Sequence, residues 1–200
     1  MIWLPAAPDV LGLLVAQGEA TEEGLVAFTA WSRGGGHHAG AAVDTARKAA
    51  RQARRELLEA LRAALSTPLD QEDLYTLSER VDRVLTQARN ALREADILDW
   101  TPDRHAAAMA DRLAEGTRAL VTGFRLLYDD PAAAGRQSDA ASKAVEHVER
   151  DYRQAMAELL KDEDLRAVLA SADLYRRYVH LAEAIVAVAD RLWYTVLRGG

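Results

Sequence analysis

No cysteine occurs in the 200 residues, which excludes disulfides, thiolate metal sites and cysteine nucleophiles and suits an intracellular setting. Proline is nearly as scarce, with five residues confined to short junctions, and β-branched residues nowhere alternate with period two, so a sheet is not expected. Long apolar runs are missing too. The longest, such as "VLGLLVA" at 10–16, fall far short of the ~18 residues that a membrane-spanning helix needs, so direct membrane insertion is not expected. Positive charge is in deficit, 25 Lys and Arg against 31 Asp and Glu, and the net charge of −6 argues against general affinity for nucleic acid. No Lys or Arg precedes Arg33, and Pro5 and Pro8 interrupt the apolar opening, so an export signal is not expected.

What remains is rich in Ala, Leu, Arg and Glu, the residues that lose least on entering a helix. A chain of this length buries roughly 70% of the surface that it exposes when unfolded, enough for one domain without staples. Apolar residues recur at three- and four-residue spacing, which predicts helices over about 8–32, 40–66, 70–98, 103–128, 136–160 and 163–198. In the first, Val10, Leu14, Gln17, Thr21, Leu25, Phe28 and Trp31 share a face, and "RGGGHHAG" then breaks the pattern. Thr67 or Asp70 can cap the third, and Thr101 before Pro102 the fourth. Six long helices on short connections bury their stripes only by bundling side by side, so the expected fold is all-α. "LDQEDLYTL" and "LKDEDLRAV" open the third and sixth helices with a shared Glu-Asp-Leu. They suggest two three-helix halves, 1–100 and 101–200.

One stretch stands apart in this acidic chain: "VDTARKAARQARRELLEAL", residues 43–61, with Arg47, Lys48, Arg51, Arg54 and Arg55 and no acid between Asp44 and Glu56. Counting back from Leu65, Leu61 and Leu58 along one helical line leads to Arg54, Arg51 and Arg47, beside a small-residue stripe of Val43, Ala46, Ala50, Ala53 and Leu57. The arginines are therefore expected at the edge of the interior, where a guanidinium needs a carboxylate partner such as Glu79 or Asp82 on the third helix.

Other chemistry-bearing residues point elsewhere. His37 and His38 follow three glycines and read as a connector, since they lack a spaced third ligand. "GGGHHAG" has no preceding strand and no following Lys-Ser/Thr, so it is no phosphate loop. "HVE" at 147–149 lacks the cysteine ligands of zinc deaminases, and no histidine has a Glu three residues before it, as a di-iron bundle requires. His180 and Glu183 are expected as a hydrogen-bonded pair near the core. Trp3, Trp31, Trp100 and Trp193 are expected to anchor the core or its seams. No nucleophile elbow or comparable context supports covalent catalysis, and the protein is not expected to be an enzyme.

The segments "WLPAAPDVLGLLVAQGEATEEGL", "ALSTPLDQEDLYTLSERVDRVL", "ERDYRQAMAELL" and "YRRYVHLAEAIVAVADRLWYTVL" together resemble, in order and spacing over nearly the whole chain, the PhoU-like family. The resemblance is to the branch of uncharacterised proteins associated with Pit-type inorganic phosphate transporters. Thr67, Pro68, Asp70, Glu72, Asp73 and Leu74 match its "TP-x-D-R-E-D-I" phrase at the head of a helix. The resemblance implies two three-helix bundles, a role in regulating phosphate transport, and Glu/Asp-x-x-x-Asp pairs that in several relatives bind iron or zinc clusters. This chain departs from that pattern at each motif. The second helix has Arg47 and Arg51; the third keeps Asp82 but pairs it with Thr86; the fifth has Val145 and Glu149, with Glu146 and His147 as neighbours; the sixth has Val179 and Glu183, then Val186 and Asp190.

The expectation is a cytoplasmic accessory or regulatory protein that works by protein–protein contact, has lost the metal clusters and needs no cofactor. It would sit peripheral to the inner face of the membrane through a partner, a membrane phosphate transporter or its regulator. Two alternatives stay open. One is a helical bundle that holds iron or zinc through a reduced set, Asp82, Glu149, Glu183 and Asp190. The other is a structural or self-associating helical protein unrelated to phosphate.

Overall fold

The computed structural model of the chain describes residues 9–199. It contains six helices, α1 (Val10–Ser32), α2 (Gly36–Ala63), α3 (Gln71–Leu98), α4 (Arg104–Leu126), α5 (Pro131–Leu159) and α6 (Leu165–Gly199), and no strand among the described residues. Trp3 and the two early prolines lie outside them.

Aspartate starts five of the six helices. Asp9, Asp70, Asp103, Asp130 and Asp164 each accept backbone N–H bonds from the first turn that follows, at 2.8–3.2 Å, satisfying donors that a helix cannot pair internally. This corrects two expectations. Asp103, two residues past Thr101, caps α4, and α5 begins at Pro131, five residues early, because Asp130 supplies the cap and proline suits the first helical position. α2 also starts early, at Gly36. Gly34 (φ 95°) and Gly36 (φ 60°) take left-handed backbone to reverse the chain in so few residues, which places His37 and His38 in the first turn of α2, not in a connector.

α1 packs on α3 and α4, and α6 on α3 and α4, so these four helices surround the centre. Among the described residues, α2 packs only on α1 and α3, and α5 only on α4 and α6. The centre is filled by side chains such as Leu25, Phe28, Leu77, Leu113, Leu181 and Ile185, all fully buried. Close contact of α4 with α5 depends on Gly116, where an added Cβ would stand 2.8 Å from Val145 Cγ1 and 3.2 Å from the Ala141 carbonyl oxygen.

Polar ties fix the register of the bundle. Gln17 donates to the Ser78 carbonyl at 2.8 Å while the Ser78 hydroxyl donates to Gln17 Oε1 at 2.7 Å, a buried reciprocal pair joining α1 to α3. Ser32 and Tyr178 share a hydrogen bond at 2.8 Å, and burial pushes the Tyr178 phenol well above its ordinary pKa, so it stays neutral. α3 and α6 run antiparallel. Asp73 meets Arg191 at one end, Glu94 pairs with Arg177 further along, and Trp100 Nε1 donates to Ser171 at 2.9 Å at the other end.

Candidate functional site

Two long seams carry the motif positions singled out in the sequence. The first runs between α2 and α3. Val43, Ala46, Ala50, Ala53, Leu57 and Leu61 form the buried stripe of α2, and the basic residues lie beside that stripe, not along a second apolar line. Leu65, expected to head such a line, is fully exposed, because α2 ends at Ala63. The arginines are nonetheless engaged by acids. Arg51 Nε stands 3.3 Å from Asp82 Oδ1, and Arg54 reaches the other oxygen of the same carboxylate at 4.0 Å.

Arg47 has a different partner from the one expected on α3. Its Nε lies 3.6 Å from Asp44 on its own helix, too long for a hydrogen bond, while Arg89 from α3 donates to the same Asp44 oxygen at 2.6 Å. Arg47 is the more enclosed arginine, with 16% of its side chain exposed against 44% for Arg51. Burial alone would raise the Asp44 carboxyl, but the hydrogen bond and charge of Arg89, and then the charge of Arg47, outweigh it and hold Asp44 below the ordinary carboxylate range. Thr86 donates its hydroxyl to the Asp82 backbone carbonyl at 3.0 Å, within its own helix. Glu79 is occupied by Arg83 at 2.6 Å. Arg89 escaped sequence reasoning, although it lies seven residues beyond Asp82, two turns along the same face.

The second seam runs between α5 and α6 and stays open. It is a groove of about 830 Å³ that brings together Val145, Glu149, Val179, Glu183, Val186 and Asp190. Val145 is buried in its floor, Val179 and Val186 are half-buried, and the three acids are exposed on its edges. Glu146 also lines it, whereas its neighbour His147 does not. Asp139 and Lys143, which sequence reasoning did not single out, complete the α5 edge. Their spacing from Glu146 along one helical face was the available signal.

Several expected associations do not form. Asp82 belongs to the α2/α3 seam, apart from Glu149, Glu183 and Asp190 in the groove. Among the described residues, no group of three or more His, Asp and Glu side chains could hold a metal ion. No hydrogen bond joins His180 to Glu183, whose side chain turns to solvent; near the core His180 alone is half-buried. Trp31 and Trp100 do pack at a seam, with ring centroids 6.3 Å apart, but Trp193 is 44% exposed.

Chemically, the α2/α3 seam holds fixed charge. Four arginines, Arg47, Arg51, Arg54 and Arg89, share two acids, Asp44 and Asp82, so positive charge is in excess, and its threonine is spent on a backbone carbonyl; nothing in it resembles an activated nucleophile. No helix among the described residues is long and apolar enough to cross a membrane. No family model matches the chain. No curated protein matches it either. Among solved structures, the crystal structure of a PhoU-like protein from Shewanella oneidensis MR-1 superposes with a TM-score of 0.76 at 15% identity, covering 95% of this chain and 100% of that one; the six-helix fold is PhoU-like.

Proposed function

We propose that the chain is a non-enzymatic accessory or regulatory protein of inorganic phosphate transport that acts by contact with a protein partner, a membrane phosphate transporter or its regulator. In this proposal the α2/α3 seam has exchanged a metal site for guanidinium groups. The observation that carries it is the Arg51–Asp82 pair, which joins two positions where the resemblance implies carboxylate ligands, with Arg54 at 4.0 Å from the second oxygen of Asp82. A guanidinium there supplies, as a fixed part of the chain, the positive charge that a bound cation would otherwise bring. The PhoU-like fold supports the link with phosphate transport. Cytoplasmic placement against the inner membrane face through the partner, and a division into halves 1–100 and 101–200, belong to the same proposal. Within each half the three helices contact one another, while α1 with α4 and α3 with α6 join the halves through one shared core.

The test is affinity capture of the full chain from its own cells at limiting phosphate, followed by phosphate uptake in cells that lack it. Recovery of a phosphate transporter or its regulator, with altered uptake, supports the proposal. Capture without either partner, and unchanged uptake, overturns it.

A further inference from the structure

The open α5/α6 groove joins an apolar floor to an edge on which carboxylates outnumber cations. Its floor is Val145, Val179, Ala182 and Val186. Its edges carry Asp139, Glu146, Glu149, Glu183 and Asp190 against one cation, Lys143. Of the five acids only Glu149 has a cationic side chain within 4 Å among the described residues, Arg153 at 3.9 Å. The α2/α3 seam is the opposite case, since Asp44 and Asp82 are each held by two arginines. Mutual repulsion of unpaired carboxylates around an apolar trough favours an occupant that brings both apolar surface and positive charge.

The dimensions suit a helix. The lining residues run from 139 to 149 on α5 and from 179 to 190 on α6, about 15 Å of helix or three turns. A second copy of this chain fits poorly: its basic helix α2 presents Lys48, Gln52, Arg55, Glu59 and Arg62 with no large apolar side chain to fill the floor, and the exposed apolar end of α6, Trp193, Tyr194 and Leu197, has its neighbouring cations Arg191 and Arg198 already paired with Asp73 and Asp70.

We propose that this groove takes a cationic amphipathic helix of a partner protein, its leucine-like face on Val179, Ala182 and Val186 and its Lys or Arg residues on Glu146, Glu183 and Asp190. The proposal rests on the contact reading of function and specifies which surface and what kind of segment make the contact.

The test uses the full chain and two fluorescein-labelled peptides of identical Leu/Lys composition, one with its leucines on a single helical face and one with the order permuted to scatter them. Binding is followed by fluorescence anisotropy at physiological salt, with circular dichroism confirming that each protein variant keeps its helix content. Expected is affinity for the amphipathic peptide at least about tenfold above that for its permuted isomer. Glu146→Lys/Glu183→Lys should weaken it by about tenfold or more, whereas Glu56→Lys/Glu59→Lys, the same charge change on exposed positions of α2, leaves it within about twofold. Equal affinity for the two peptides, or equal weakening by both charge reversals, overturns the proposal. So does sedimentation showing a dimer that Glu146→Lys/Glu183→Lys dissociates while no peptide binds, and so does zinc binding that the same pair abolishes without peptide binding. Failure here with successful capture of a transporter leaves the functional proposal standing and removes the groove from it.

Discussion

Asp73 in the first turn of α3 lies 2.5 Å from Arg191 near the end of α6, 118 residues away, with 2% and 15% of the two side chains exposed. Arg198, 45% exposed, brings a second and more solvent-screened cation to 3.6 Å from the same oxygen, too long for a hydrogen bond. A buried carboxylate that loses its guanidinium keeps its desolvation cost without the compensating charge, so Arg191→Met is expected to destabilise the fold by about 3 kcal/mol. Asp73→Leu/Arg191→Met removes both charges and should recover most of that loss. Urea denaturation of the three proteins measures it, and equal loss in the single and double variants would contradict the pairing.

Two glycines in helix interiors should respond in opposite directions to alanine. At Gly116 the new methyl would press on Val145 and on the Ala141 carbonyl, and overpacking of about 1–3 kcal/mol exceeds the helix-propensity gain of about 1 kcal/mol. At Gly135 the nearest atom is Val196 Cγ1 at 3.8 Å, an ordinary contact, so the propensity gain prevails and stability rises by about 0.5–1 kcal/mol. Thermal melts should show Gly116→Ala lowered and Gly135→Ala raised relative to the parent.

Acid should reveal Asp44. Its folded pKa lies below the unfolded value of about 3.9, so the unfolded chain takes up the proton first as pH falls. The stabilisation is complete above about pH 5 and is lost as pH drops through the unfolded and then the folded pKa. Asp44 is 42% exposed, so solvent screening keeps its share under about 1 kcal/mol. Stability measured from pH 6 to 2 should fall less steeply for Asp44→Asn than for the parent; parallel curves would remove Asp44 from the acid response.

Carboxylates placed at the arginine positions of the α2/α3 seam should create metal affinity. Arg47→Glu/Arg51→Asp puts two acids one turn apart beside Asp82 and Asp44, an oxygen-rich set that favours hard or borderline divalent ions. Calorimetric titration with zinc should show saturable binding by the variant and none by the parent. Binding by both, or by neither, contradicts the substituted-site account.

The helices were legible because their information is local. Aspartate caps, a proline at N1 and three-four spacing each act within one turn, and the expected spans miss the observed ones by at most five residues. The buried stripe from Val43 to Leu57 was legible for the same reason. Arg47 was not, since proximity to α3 left Asp82 and its neighbours as the obvious partners, while Asp44 one turn away gains its hold on Arg47 only when Arg89 crosses the seam to fix it. Nor was the groove. Asp139, Lys143 and Glu146 read as solvated surface along α5 alone, and only packing against α6 encloses an apolar floor between them. The start of α2 was missed because two left-handed glycines turn the chain within two residues, a tighter reversal than the glycine run required.

The central claim is that guanidinium groups fill the α2/α3 seam where the resemblance implies metal ligands. Elemental analysis of the full chain purified without chelators, from cells grown with ample iron and zinc, tests it most directly. Background levels of both metals are predicted; one or more ions per chain, lost on replacing Asp82 or Asp44, would contradict it.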